Sequence, residues 1–218
     1  MNAQLLSTLP LAQRLALSYA PACARDATLA LLALDTRLAG IVRGHGEPVI
    51  AQLKLAWWRD RLAQDPAVWP AGEPLLALMR TCGVEPVRLA GMVDGWELLL
   101  SEELGRPELE EFAEGRALGW SGLAEAFHVG APYAAVSTIA TAWALADLAL
   151  HLGGGEVAAS AREIALALPR GDERLPRELR TLVVLHGLAR RALLRGSREP
   201  LDGPAAMLAA ARLGFAGR

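Results

Sequence analysis

The 218-residue sequence is poor in residues that mark several functional classes. It has two cysteines, three phenylalanines and two tyrosines, and Lys54 is the single lysine among its 22 basic residues. The formal net charge of −2 demands neither nucleic acid nor an acidic membrane surface as a partner. Cys23 and Cys82 lie far apart with no second Cys or His at ligand spacing. We therefore predict two reduced, buried thiols rather than a disulfide or a zinc site.

Motifs of several enzyme classes are also missing. The sequence contains no nucleophile constellation, phosphate-binding P-loop, dinucleotide fingerprint or zinc-ligand spacing. The N-terminal stretch MNAQLLSTLP has no basic segment followed by a long apolar core, so we expect no cleaved signal peptide. These absences predict a cytoplasmic protein that does not bind nucleic acid.

The residues that are abundant favour helices. The sequence is 53% hydrophobic, alanine and leucine dominate, and both are strong helix formers. Short joints of proline and glycine separate the apolar periods. We predict an all-α fold, a single bundle of eight to ten helices over residues 1–218, with a peripheral C-terminal segment at about 199–218.

The stretch Ala131–Leu152 is apolar and long enough to cross a membrane. It contains one formal charge, Asp147, and several polar residues, including His151. A helix that is apolar all round is also what the centre of a bundle requires. A central core helix is therefore favoured over a membrane span, and membrane association stays open as the alternative.

The most informative stretch runs from Ala30 to Arg61 and is predicted to form two helices joined by the turn Arg43–Gly46. It resembles the region of squalene and phytoene synthases that carries their first aspartate motif. In that alignment Ala39 and Gly40 replace the paired aspartates, and Arg43 replaces the last one.

A second stretch, Ala142–Gly155, resembles the second aspartate motif of the same family. Asp147 falls on the asparagine of that motif, His151 on its first aspartate and Gly155 on its last. Weaker similarities support the resemblance at Trp57-Trp58-Arg59, at Met92–Gly95 and in the late helix LPRELRTLVVLHGLARRAL.

The resemblance implies the isoprenoid (terpenoid) synthase fold without its usual chemistry. Family members bind Mg²⁺ through both motifs, and Mg²⁺ requires hard oxygen ligands that Ala39 and Gly40 lack. We therefore predict loss of the Mg²⁺ ions and a non-catalytic binding or assembly protein. It is similar to a subgroup of the family that includes a mitochondrial assembly factor of respiratory complex I. The alternative is a transferase or carrier that binds an isoprenoid diphosphate.

The predicted partner is a protein or an isoprenoid or lipid ligand, with no catalytic residue assigned. The candidate ligand-binding residues are Arg37, Arg43, Arg59, Asp94, Asp147 and His151. We expect a cavity between Leu34–Arg43 and Ala142–His151, and an ion pair between Asp147 and Arg37 or Arg43. Arg43 and His45 could bind a phosphate, although an ordinary solvated turn is favoured.

Several other residues receive structural interpretations. Asp35 is predicted to be a surface or helix-pair charge, and Asp94, like Asp147, a buried acid. His128 and His186 are expected in the core with hydrogen-bond partners, and at least one of Trp57 and Trp58 in the core. The arginine-rich run Arg170–Arg198 is interpreted as a solvated face, with docking to an acidic partner or an anionic membrane surface as the alternative.

Overall fold

The fold is built from helices throughout the residues that the computed structural model describes, 2–44, 47–101, 103–130, 132–169 and 174–217. The described residues are 76% helical and form no strand. Eleven α-helices occur among them, which confirms the predicted all-α class and slightly exceeds the predicted number. In order they are α1 (Asn2–Thr8), α2 (Leu11–Ser18), α3 (Ala22–Val42), α4 (Pro48–Leu62), α5 (Pro74–Met79), α6 (Pro86–Leu98), α7 (Arg106–Ala126), α8 (Tyr133–Leu152), α9 (Glu156–Ala167), α10 (Arg180–Arg195) and α11 (Pro204–Ala216).

Proline and glycine set many of the helix boundaries. Four helices begin at a proline, a residue suited to the first turn because the missing N–H would have no intrahelical acceptor there. Gly153, Gly196 and Gly217 end α8, α10 and α11 in the left-handed conformation, which glycine adopts without steric cost. The predicted pair of helices around Ala30–Arg61 is confirmed as α3 and α4, although His45 and Gly46 lie outside the described residues.

The most apolar helix, α8, lies in the core. It packs against α7, α9 and α10, and alanine and leucine fill most of its buried positions. Among the described residues it is the one helix long and apolar enough to cross a membrane, and 61% of the qualifying window is buried inside the protein. In this fold it has the position that the sequence favoured, at the centre of the bundle.

Glycines bring α6 and α7 into backbone contact. A Cβ atom on Gly115 would lie 2.8 Å from the Gly91 carbonyl oxygen and 2.9 Å from the Gly95 Cα atom. Such distances are too short for any larger residue, so the two helices require glycine at this crossing. The close approach fixes the register of α7, whose next residue, Arg116, is buried.

The two cysteines and two of the histidines differ in part from their predicted environments. Both cysteines are free, as predicted, but Cys23 is exposed in the first turn of α3, whereas burial raises the pKa of Cys82 to about 11. His128 is exposed and not in the core, because it follows the end of α7 with a φ of 50°. His186 is buried as predicted, but its Nε2 atom has no hydrogen-bond partner in the part of the chain that the structure describes.

The buried imidazole of His186 should make stability depend on pH. Burial, reinforced by the nearby charge of Arg190, lowers the pKa of His186 from 6.5 to about 4. The unfolded chain therefore binds a proton at a higher pH than the folded chain does. The free energy of unfolding should fall as the pH decreases from about 6.5 to about 4, by up to about 3 kcal/mol, and level off for this group below that range.

Urea unfolding across this pH range would measure the effect, with His186→Leu and the control His128→Leu compared with the parent protein. The His186→Leu variant should lose this part of the pH dependence, and His128→Leu should retain it. Identical pH profiles for the parent and His186→Leu would contradict the prediction.

Candidate binding site

A buried arginine joins three helices at the centre of the bundle. The Arg116 side chain on α7 is 1% exposed. Its Nε atom donates to Asp35 Oδ1 on α3 at 2.9 Å, and its Nη2 atom donates to Asp35 Oδ2 at 2.5 Å. Nη2 also lies 3.1 Å from Asp147 Oδ2 on α8, and Nη1 donates to the Ala144 carbonyl oxygen at 3.2 Å. One guanidinium group therefore bonds to both α3 and α8.

Aromatic rings enclose the same guanidinium group. Its central carbon lies 4.3 Å from the ring centroid of Trp143, 5.0 Å from that of Trp96 and 5.5 Å from that of Phe112. The indole nitrogen of Trp96 also donates to Asp35 Oδ1 at 2.9 Å. Cation–π contacts are strongest where water is excluded, so these rings compensate part of the desolvation of the charge.

The balance of charge keeps Arg116 ionised. Burial alone would lower the pKa of Arg116, but the charges of Asp35 and Asp147 and their hydrogen bonds raise it above its ordinary value. The cluster nevertheless contains two carboxylates and one guanidinium, and Asp147 is 17% exposed. His151, one turn further along α8, places its Nδ1 atom 3.4 Å from Asp147 Oδ1.

This cluster decides between two alternatives for Asp35 and corrects one prediction for Asp147. Asp35 is a helix-pair charge and not a surface charge, because it is buried and links α3 to α7. Asp147 is largely shielded but pairs with Arg116 instead of Arg37 or Arg43. Arg37 lies 3.7 Å from Glu73, and Arg43 donates to the Ala39 carbonyl oxygen. The prediction failed because Arg37 and Arg43 occupy the exposed side of α3, away from Asp35.

An open groove of about 600 Å³ lies along the other side of α3. Five residues of α3, separated alternately by three positions and by one, line one wall. Residues of α1, α4 and α5 form the rest of the groove. Most of the lining is apolar. The groove residues from α3 are Ala33, Thr36, Arg37, Gly40 and Ile41, and the larger residues opposite include Leu5, Ile50, Trp57, Trp58 and Leu75.

The rim of this groove is polar. Arg37, paired with Glu73, also lies over the Trp58 ring at 5.9 Å. Lys54 and Glu47 line the opposite side. Trp58 is buried while Trp57 is exposed, which confirms that one of the two tryptophans belongs to the core.

A smaller cavity of about 310 Å³ lies between α2, α8 and α10. Trp143, Asp147 and His151 line it together with Leu185 and Leu188. A single cavity was predicted between Leu34–Arg43 and Ala142–His151. Neither of these two cavities is lined by both segments, because the Arg116 side chain occupies the space where α3 and α8 approach each other.

The structure therefore separates the six candidate residues. Arg37 lies on the groove, while Asp147 and His151 lie on the smaller cavity. Arg59 forms a surface network with Asp94 at 2.6 Å and with Glu97. Asp94 is exposed, so the prediction of a buried acid there is wrong. It follows Val93 on α6 and faces α4 instead of the core.

The donor set at the two motif positions does not fit Mg²⁺. Gly40 has no side chain, Ala39 has no oxygen on its side chain, and Arg43 carries a positive charge. Asp35 on α3 and Asp147 on α8 already bond to Arg116. Among the described residues no three His, Cys, Asp or Glu side chains form a group that could hold a metal ion. A divalent cation would have to displace a buried guanidinium.

The protein is an all-α bundle of the isoprenoid-synthase type. A buried ion cluster lies between α3 and α8, the helices that carry the two motif regions. Residues 13–117 match the family model described as squalene/phytoene synthase. This match confirms, over these residues, the resemblance to that family found in the sequence. Neither a curated protein nor a solved structure matches the chain at a significant level.

The sequence-based predictions assign no role to Arg116, which lies within a helix that also presents acids to solvent. The informative signal is the spacing of Arg116 from its apolar neighbours. Phe112, Arg116 and Trp120 recur every four residues on the apolar side of the helix. Gly115 lies directly before the arginine and Gly119 three residues after it. A charged residue at a core position among small residues indicates a buried ion pair.

Removal of Arg116 should destabilise the protein strongly. Arg116→Met leaves Asp35 buried without its cation, and an unpaired buried charge costs about 3–5 kcal/mol. The double variant Arg116→Met/Asp35→Asn should recover much of that loss, as expected for residues in contact. Chemical denaturation of the singles and the double measures the coupling.

Arg59→Met is the matched control, because Arg59 forms ion pairs at the surface and should contribute at most about 1 kcal/mol. Strictly additive losses for Arg116 and Asp35, or equal losses for Arg116→Met and Arg59→Met, would contradict the role assigned to the buried cluster.

Proposed function

We propose that the protein is a non-catalytic relative of squalene and phytoene synthases that acts as a binding or assembly protein through the groove between α1, α3, α4 and α5. The observation that carries the proposal is the position of Arg116. Its guanidinium group provides a positive charge between α3 and α8, and it binds one carboxylate on each of these two helices, Asp35 and Asp147.

The side chains at the altered motif positions are the reason that we propose no catalysis. Departure of a diphosphate group requires several positive charges positioned around its oxygens. Arg116 is enclosed by aromatic rings and two carboxylates, and each of its three nitrogen atoms already donates within the bundle. The groove itself contains Gly40 where the family resemblance predicts an aspartate.

The groove supports a binding role through its size and its walls. Ligand sites commonly measure about 300–1,000 Å³ and combine apolar walls with a few polar groups. This groove lies within that range, and Ile50 and Trp57 at its edge are exposed. An isoprenoid or lipid chain, or an apolar segment of a partner protein, would bury these side chains.

A metal-independent carrier or transferase for an isoprenoid diphosphate is the second candidate. The basic rim of the groove favours it, because Arg37 and Lys54 could bind phosphate oxygens while the apolar walls bind the chain. The two candidates differ in whether an anionic headgroup contributes to binding and whether any product forms.

Incubation with labelled farnesyl diphosphate and Mg²⁺ tests catalysis. We expect neither a condensed product nor release of diphosphate, measured by chromatography and phosphate detection. Turnover that remains through purification and disappears in Asp147→Ala would contradict the non-catalytic proposal.

A second experiment fills the groove. A Cβ atom on Gly40 meets no atom within 4 Å, so Gly40→Phe can project into the groove without disturbing the core. The affinity of the Gly40→Phe variant for farnesol and for farnesyl diphosphate, measured by calorimetry, should be at least about tenfold lower than that of the parent protein. This factor corresponds to about 1.4 kcal/mol of binding free energy. Gly154→Phe is the matched control, because that position is equally open and lies outside the groove.

The charged rim separates the two candidates in the same assay. Arg37→Gln/Lys54→Gln should leave farnesol binding unchanged. Weaker binding of farnesyl diphosphate alone would favour the carrier. Equal affinity of Gly40→Phe and the parent protein for both ligands would show that the groove does not bind isoprenoids, and a protein partner would then be sought.

A further inference from the structure

Three arginines of the run Arg170–Arg198 meet at the C-terminal end of α11. Arg174 donates from Nη2 to the Ala216 carbonyl oxygen at 3.3 Å. Arg180 Nη1 fills the space that a Cβ atom on Gly217 would occupy. Arg177 begins the 3-10 turn Arg177–Leu179 that leads into α10. This part of the run is therefore not the simple solvated face that the sequence favoured, since Arg180 is 7% exposed.

The charge of this arginine group is not balanced by the described residues around it. Arg180 Nη1 is buried and has no hydrogen-bond partner among the described residues. Burial, followed by the like charges of Arg174 and Arg177, lowers the pKa of Arg180, and Glu178 acts weakly in the opposite direction. Arg191, by comparison, pairs with Asp202. An anion next to Arg174 and Arg177, which are exposed, would relieve the repulsion.

The outward face of α11 adjoins this group and is apolar. Met207, Leu208 and Phe215 are 49%, 73% and 81% exposed. They recur at the helical spacing of one surface stripe, and Arg212 is the single charged residue of the helix. The opposite side carries Ala206, Ala210 and Gly214, which are buried where α11 packs on α10 and α2.

Phe215 is fixed in place near the arginines. Its ring packs edge-on against Tyr19, with centroids 5.4 Å apart, and it lies one residue before the carbonyl group that Arg174 contacts. Leu208 is seven residues earlier, about 10 Å along the helix axis. The apolar stripe and the basic group thus form one continuous surface, which we call the C-terminal face: Met207, Leu208 and Phe215 with Arg174, Arg177 and Arg180.

We propose that the C-terminal face docks on an anionic lipid bilayer. In this arrangement α11 lies parallel to the membrane, and Met207, Leu208 and Phe215 enter the boundary between headgroups and acyl chains. Arg174 and Arg177 contact lipid phosphates. Interfacial helices bind by this combination of buried apolar side chains and attraction between basic residues and anionic lipids.

Other occupants fit the C-terminal face less well. A stable homodimer buries about 800 Å² per partner, more than three large side chains on a 13-residue helix expose, and it would leave the arginine charge unbalanced. An acidic protein would match the arginines, but hydrogen-bonding groups are scarce along the apolar stripe. A bilayer supplies both chemistries at the required spacing.

Sedimentation with vesicles tests the proposal on the full chain. Vesicles of phosphatidylcholine with about 30% phosphatidylserine should bind the protein at least about tenfold more strongly than vesicles of phosphatidylcholine alone. Binding should weaken as NaCl rises from about 0.05 to 0.5 M, because salt screens exposed charges. Leu208→Ser/Phe215→Ser and Arg174→Gln/Arg177→Gln should each reduce binding to anionic vesicles at least about tenfold.

Matched controls alter exposed apolar and basic side chains elsewhere, on α4, after α3 and on α9. Val49→Ser/Leu53→Ser and Arg43→Gln/Arg162→Gln should leave vesicle binding unchanged. All of these changes lie on exposed side chains, and thermal unfolding verifies that each variant is folded. Loss of binding in the control variants alone, equal binding to both kinds of vesicle, or no binding at all would overturn the proposal. A dimer that Leu208→Ser/Phe215→Ser converts to a monomer, without vesicle binding, would assign the face to self-association instead.

Discussion

The structure depends on one guanidinium group that satisfies carboxylates from two helices. Moving three charged groups into a protein interior carries a large desolvation cost, which only well-formed hydrogen bonds and close charge pairing offset. Arg116 meets that demand with two bonds to Asp35, one to Asp147 and one to a backbone carbonyl group. Lysine could not do so, because its single ammonium group lacks the planar fork that bonds both oxygens of Asp35.

The packing of the surrounding helices and rings determines where this cluster lies. The glycine contact between α6 and α7 sets the depth of Arg116, and Trp96 and Trp143 close the space on either side. As a result, α3 presents different chemistry on its two sides. Asp35 points into the bundle, whereas Arg37 and Gly40 face the groove. The buried ion cluster and the groove can therefore vary independently, because neither shares a side chain with the other.

Small residues decide where the protein has open surface. Gly40 and Ala33 leave space along α3, where larger residues would fill the groove. On α11, Ala206, Ala210 and Gly214 permit close packing and direct the larger apolar side chains outward. In both places large apolar side chains remain exposed, which is typical of interaction surfaces.

The sequence by itself determined the helical class, the joints at proline and glycine, the central place of α8 and the family resemblance, because these depend on local propensity and on the period of apolar residues. It also showed that Ala39 and Gly40 lack carboxylates. Only the tertiary structure decided which charges meet. Asp35 and Arg116 are 81 residues apart, and Arg116 and Asp147 are 31 apart. No local pattern records such pairings, because the partner of a buried charge depends on how helices rotate and cross once they pack.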